Sequence, residues 1–400
     1  MHSIKVGIGL YALLLITTSC TKQDAGSFHM TDIDGVLTRI YEYGFQPQAD
    51  PYRVVEERII ADNQSEDTYL LTAAYPGAIG DDGTLFVLDS REAMIYVFSK
   101  DGGLLSRFGG TGQGPGEFSG LTRVILDGDY LYCPDLMSNR LTILTREGKF
   151  VRQYRPNTLE PLGGRICLFG DRNERKFLTF GRVYEGSDRP LFRLSRWDNS
   201  LTYIDTLMEI PITEVPVWMR NIPQVPFTNK VPSTALKEDL PFAWYIGDQP
   251  RIDFIDPVSL KRWAVTIPHE PIAISSEMKG RVLARYEGRS DPEEIRAIRF
   301  PGFLPHFNQL FWDFSNRLWA QEYTDPWAEL DSVKYYVFST DGKWLFTQSL
   351  PLLSLFPDES LFDRSGFYLS SRLDDGTSVI RYYRLEENNS LMGMNDRGYR

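Results

Sequence analysis

Leu85–Phe108 reads LFVLDSREAMIYVFSKDGGLLSRF, and Leu131–Tyr154 reads LYCPDLMSNRLTILTREGKFVRQY. The two stretches align without a gap at an offset of 46 residues, pairing Leu85 with Leu131, Asp89 with Asp135, Val97 with Ile143, Gly102 with Gly148 and Phe108 with Tyr154. Each is a short apolar strand ending in Asp, a polar turn, a β-rich strand, a turn containing Gly, and a last strand. Tyr336-Val337-Phe338-Ser339 followed by Asp341-Gly342 repeats Tyr96–Ser99 followed by Asp101-Gly102. A period of this length, built from short strands and Gly turns, predicts a β-propeller.

Weaker copies fill the chain on either side. Lys176–Gly181, Phe192–Trp197 and Thr202–Thr206 predict a third blade around a turn at Glu185–Arg189. Phe242–Gly247, Ile252–Asp256 and Arg262–Ile267 predict a fourth, and Leu318–Glu322, Lys334–Ser339 and Trp344–Leu350 a fifth. Phe367–Arg372 and Ser378–Arg384 give a sixth that lacks an outer strand. Arg53–Ile60 can supply it, closing the ring and removing two sheet edges. Two stretches, 208–226 and 269–305, do not fit the repeat and read as insertions. Six units of about 46 residues leave room for both, whereas seven would consume nearly the whole chain. The expected fold is therefore all-β: a six-bladed β-propeller of four-stranded antiparallel blades over 51–388, closed by an N-terminal strand, with a short helical insertion between blades 4 and 5 and a tail at 389–400.

The first twenty residues read as an address. Lys5 is followed by an apolar run from Val6 to Ile16, then Thr17, Thr18, Ser19 and Cys20. That run is shorter than the roughly 20 residues a membrane-spanning helix needs and matches the apolar core of a secretory signal over 1–19. Small residues directly before Cys20 resemble the lipobox of bacterial lipoproteins. The resemblance implies cleavage before Cys20 and acylation of its sulfur, which anchors the chain in a membrane. Residues 20–50 then read as a lipidated tether. Thr21 in place of Asp points to the outer membrane of a Gram-negative bacterium. An oxidising compartment permits a Cys133–Cys167 disulfide, the alternative being two buried free thiols.

Composition narrows the ligand classes. Lys and Arg total 43 against 54 Asp and Glu, a formal charge of −11, which argues against nucleic acid as partner. Three cysteines exclude a disulfide-framework fold, and four histidines leave little for a His-rich metal centre.

Phe108-Gly109-Gly110-Thr111-Gly112-Gln113-Gly114-Pro115-Gly116-Glu117-Phe118 looks like the inter-blade linker of NHL-repeat propellers, and Asn139-Arg140 after Asp135 matches the same pattern. With the lipobox, the chain is similar to bacterial six-bladed propeller lipoproteins of the NHL-repeat-like and TolB-like kind. The glycines read as a tight structural turn with Phe118 as its buried anchor, because no Gly-Lys-Ser/Thr ending makes a phosphate cradle. Asp89 and Asp135 recur in successive blades, as turn-formers do and single catalytic groups do not.

Ligand-binding candidates are few. Glu117 and Arg123 flank the entry to the second blade's inner strand, near the central channel. Trp218 lies in a Pro-rich insertion as an aromatic platform for a sugar or peptide. In the other insertion, Ser275 or Ser276 caps a helix running through Arg285, and Ser290-Asp291-Pro292 starts another. Arg281 and Arg285 put positive charge there, with Glu277 able to balance it. The expectation is a membrane-anchored binding or scaffolding module for a protein, peptide or glycan, without catalytic residues or a resident metal. The alternative, carried by the resemblance to gluconolactonase-type and NHL-lyase propellers, is a hydrolase or lyase holding calcium on scattered carboxylates.

Overall fold

The computed structural model describes residues 28–60, 71–157, 165–185, 189–211, 232–247, 249–284, 287, 300–325, 328, 330–351, 360–374 and 376–388. Four strands come first: β1 (Phe28–Ile33), β2 (Val36–Tyr41), β3 (Gln48–Ala49) and β4 (Tyr52–Ile60). Blade 1 is β5 (Ala74–Ile79), β6 (Leu85–Asp89), β7 (Met94–Phe98) and β8 (Leu104–Gly109); blade 2 is β9 (Ile125–Asp127), β10 (Tyr130–Asp135), β11 (Arg140–Thr145) and β12 (Phe150–Tyr154). Blade 3 is β13 (Arg165–Phe169), β14 (Lys176–Glu185), β15 (Arg189–Trp197) and β16 (Tyr203–Pro211). Blade 4 is β17 (Ser233–Ala235), β18 (Phe242–Tyr245), β19 (Arg251–Ile255) and β20 (Arg262–Thr266), followed by helix α1 (Ser276–Ala284). Blade 5 is β21 (Phe307–Trp312), β22 (Leu318–Glu322), β23 (Ser332–Phe338) and β24 (Trp344–Pro351), and blade 6 contains β25 (Ser360–Phe362), β26 (Gly366–Arg372) and β27 (Ser378–Glu387).

The chain is a six-bladed β-propeller, and its closure is the one expected. β4 pairs antiparallel with β27 from Ile60↔Ile380 to Tyr52↔Glu387, completing blade 6 with the chain's early segment. Alternate side chains of each middle strand serve two neighbouring blades. On β6, Leu85 and Val87 pack toward blade 6, while Phe86 and Leu88 pack toward blade 2. On β23, Tyr335 and Val337 face blade 6, and Tyr336 and Phe338 face blade 4. Both faces are buried there, so Leu85–Leu88 and Tyr335–Phe338 read as unbroken apolar runs. Each fully buried Leu, Val or Phe contributes about 1.5–3 kcal/mol of transfer free energy.

One expectation is corrected, and one open alternative is decided. Residues 28–49 are not a tether: β1 and β2 form a hairpin over Asp34-Gly35, β2 pairs in parallel with β20, and β3 pairs in parallel with β24. The reason is apolar anchorage, since Tyr41 and Phe45 pack around Trp344 and the Tyr41 hydroxyl accepts a hydrogen bond from the Trp344 amide at 2.6 Å. Cys133 and Cys167 are two buried free thiols, not a disulfide. They pack in different junctions, Cys133 between blades 1 and 2 and Cys167 between blades 3 and 4, and burial pushes both thiols up from their ordinary value.

Candidate functional site

A blade of four antiparallel strands begins and ends on the same side of the ring. The two ends of each blade therefore share one face with the turns between second and third strands. The opposite face holds the turns between strands one and two, and three and four. These faces differ in build.

The second, the turn face, is closed tightly. In five blades a backbone bond fastens the last hairpin: Ser99 N to Gly103 O, Thr145 N to Lys149 O, Asp198 N to Thr202 O, Ser339 N to Lys343 O and, with one residue more in the turn, Asp256 N to Lys261 O. The residue before the last is left-handed each time: Gly102, Gly148, Leu201, Leu260 and Gly342. Charged groups here bridge blades. Arg175 of blade 3 holds Asp127 of blade 2 through two hydrogen bonds of 2.8 and 2.9 Å and Asp239 of blade 4 at 2.8 Å. Lys237 of blade 4 donates to the Asp313 carbonyl at 2.7 Å and to Asn316 at 2.9 Å in blade 5, and burial lowers its pKa.

The first, the insertion face, carries the Gly-rich linker and α1. Gly109 has φ +106°, and a Cβ there would meet the Ala93 carbonyl at 2.7 Å, so the turn requires glycine. Phe118 is fully buried beneath it, as its anchoring role requires. Arg140 reaches in from β11: it donates to Asp135 at 3.0 Å, to the Gln113 carbonyl at 3.0 Å and to the Glu117 carbonyl at 2.7 Å. Burial alone would raise the Asp135 pKa, but the Ser119 and Ser138 amides and Arg140 hold it below its usual value. Asp89 does the equivalent work in blade 1, accepting from the amides of Thr72, Arg91 and Glu92.

Between the faces lies a cavity of about 210 Å³ to which every blade contributes, for example through Ile79, Ile125, Arg165, Ala235, Phe311 and Phe362. Arg123 is in this lining, where the sequence places it. Glu117 is not: its carboxylate turns back to accept the Gly114 amide at 2.8 Å, so it shapes the linker instead. Arg281 lies on α1, capped by the Ser275 hydroxyl accepting from Met278 N, and pairs with Glu277 at 2.6 Å as on a solvated helix face. Arg285 and Trp218 lie outside the described residues, as does the second expected helix. Four charged lining residues escape the sequence: Arg165, Lys237, Glu238 and Asp313. Aligning the repeat from the inner strands would find them, because each stands at the end of a short apolar run. Among the described residues no group of three His, Cys, Asp or Glu side chains is placed to hold a metal ion.

Six four-stranded blades around one axial cavity define a six-bladed β-propeller. Residues 79–210 match a family model described as a 6-bladed beta-propeller. Among solved structures, a Bacteroides fragilis protein described as exported aligns with a TM-score of 0.51 at 13% identity, over 86% of this chain and 99% of its own. A member of the DUF4221 family from Bacteroides vulgatus aligns at 0.46 and 13%, over 85% and 100%. Virginiamycin B lyase from Staphylococcus aureus aligns at 0.37 and 11%, over 84% and 100%. At such identities the likeness is one of fold. No curated protein matches the sequence.

Proposed function

We propose that the chain is a lipid-anchored extracytoplasmic binding module whose ligand seats in the axial cavity, entering from the insertion face, and that it works by recognition and not by catalysis. The observation that carries this is the cavity itself, walled by inner strands of all six blades. A site shared by six rigid elements is held in shape without any moving part, which limits the ordering cost of binding. Its partners are a membrane, through Cys20, and a peptide, protein end or glycan small enough at its tip to enter.

The test is a ligand-detected NMR screen of monosaccharides and dipeptides against the intact chain, repeated on Ile79→Trp, whose indole fills the cavity. Ligands bound by the natural chain and lost in Ile79→Trp support the channel; ligands that Ile79→Trp retains overturn it. Metal analysis after chelator-free purification addresses catalysis. Bound calcium, with a melting temperature that EDTA lowers, would favour the hydrolase or lyase reading instead. Cys20→Ala should release the protein from membranes, and unchanged retention would remove lipidation as the anchor.

A further inference from the structure

The charges lining the cavity are unevenly placed. Arg123 and Arg165 stand where β9 and β13 begin, at the insertion-face end and on neighbouring blades. Lys237, Glu238 and Asp313 follow β17 and β21, at the turn-face end. At that second end most of the charge is engaged. Lys237 is held by blade 5, and the Asp313 carboxylate accepts from Arg317 at 2.6 Å and from the Trp319 indole at 2.9 Å. Glu238 makes no hydrogen bond or ion pair among the described residues.

At the insertion-face end no lining carboxylate stands beside Arg123. Arg165 donates to the Thr234 carbonyl at 2.7 Å, which fixes its guanidinium against blade 4. Arg123, half-buried, makes no hydrogen bond or ion pair among the described residues. Its charge acts on the Cys167 thiol of β13, two residues along from Arg165. A half-desolvated guanidinium without an acceptor is costly, and a planar oxyanion matches its fork of donors. The chain's formal charge of −11 does not attract an anion from a distance. That field is screened beyond about 8–10 Å, however, so recognition can be local.

Taking the channel as the ligand site, we infer that its insertion-face end is an oxyanion subsite, in which Arg123 receives one carboxylate- or phosphate-type group of a compact ligand. The cavity is smaller than the roughly 300–1,000 Å³ of sites for drug-sized molecules, so the group belongs to something the size of one sugar or amino acid. Glu238 at the far end opposes a second negative charge and suits a neutral or cationic remainder.

Calorimetric titration and thermal unfolding of the full chain test this with glucuronate, inorganic phosphate, glucose, and potassium chloride at matched ionic strength. Glucuronate or phosphate should bind saturably, and chloride should not reproduce the effect. Whichever of the two binds more tightly identifies the oxyanion. Arg123→Gln should weaken that binding by about tenfold or more, the loss of one charge-assisted pair, without lowering the melting temperature of the free protein. Oxyanion binding that is undiminished in Arg123→Gln, or absent in the natural chain, overturns the subsite. Glucose binding that is lost in Ile79→Trp, with no oxyanion binding to the natural chain, overturns the oxyanion and leaves the channel standing. Oxyanion binding that persists in Ile79→Trp overturns both.

Discussion

Arg175 on the turn face is buried and holds two carboxylates of neighbouring blades, whereas Arg123 at the insertion-face end of the cavity holds nothing among the described residues. The same residue type is spent on assembly at one side of the ring and left over at the other. On the turn face the connections are short and repeated, so each side chain has a fixed neighbour to lean on. On the insertion face they vary from the Gly-rich linker to the stem of α1, where Ile274 N meets Gly302 O and Leu304 N meets Ile272 O. Variable connections on a constant ring are where a binding specificity can be altered without disturbing the blades.

The sharpest way to break this contrast is to ask whether the insertion face also has arginines it cannot lose. Arg140→Ala should be the most damaging change, because Arg140 and Asp135 are both almost fully buried. Removing one partner strands the other charge and frees three linker carbonyls, a loss of about 3–5 kcal/mol in denaturant unfolding. A loss under about 1 kcal/mol would mean that the linker holds itself. Arg175→Met should follow at about 2–4 kcal/mol, less because Asp239 is half exposed and can rehydrate. Arg123→Gln, by contrast, should stay within about 0.5 kcal/mol of the natural chain.

The middle strands of each blade were legible because burial on both faces leaves an apolar run, as in Leu85–Leu88, and because Gly102, Gly148 and Gly342 mark equivalent turns. Inner strands were not. β9, β17 and β25 are three residues each, too short to show a period, so Lys237 and Glu238 had no frame to place them. The hairpin at 28–41 was hidden for another reason. Its Asp34-Gly35 turn, with φ of 54° and 77°, is a strong local hairpin signal, but its partner strand β20 lies more than two hundred residues away and polar residues fill one face. Glu117 was misplaced because proximity in sequence to Arg123 says nothing about which way a carboxylate turns inside a glycine loop.

A smaller effect separates the turns of the turn face from one another. Leu260 takes φ +62° where Gly102, Gly148 and Gly342 stand in sister blades, and its side chain is about half exposed. A left-handed non-glycine residue costs roughly 1–2 kcal/mol, part of which glycine gives back as unfolded-state entropy. Leu260→Gly should therefore stabilise the protein by about 0.5–1 kcal/mol. Leu201 has the same backbone at φ +60° but is fully buried between blades 2 and 3, so Leu201→Gly should destabilise. Opposite signs in thermal unfolding would show that the shared turn tolerates leucine only where its side chain is used.

The last contrast is in pH response. Of the described histidines, His269 and His306 meet on the insertion face, with ring centroids 4.1 Å apart, and none lies in a turn of the other face. Burial depresses the His269 pKa below its ordinary 6.5, with Glu322 opposing the shift and Lys334 adding to it. The neutral imidazole is thus the form that fits the fold. Its stabilisation is present above about pH 6.5, the value for an unfolded histidine, and is lost as pH falls through the lower folded value, because the unfolded chain then binds the extra proton. Stability should decline between pH 7 and 5 in the natural chain and decline less in His269→Gln. Amide exchange should localise the loss to residues around 269–274 and 302–307, leaving the hairpins at Ser99–Gly103 and Thr145–Lys149 protected. Equal loosening of both faces would show that acid acts on the ring as a whole and not through this pair.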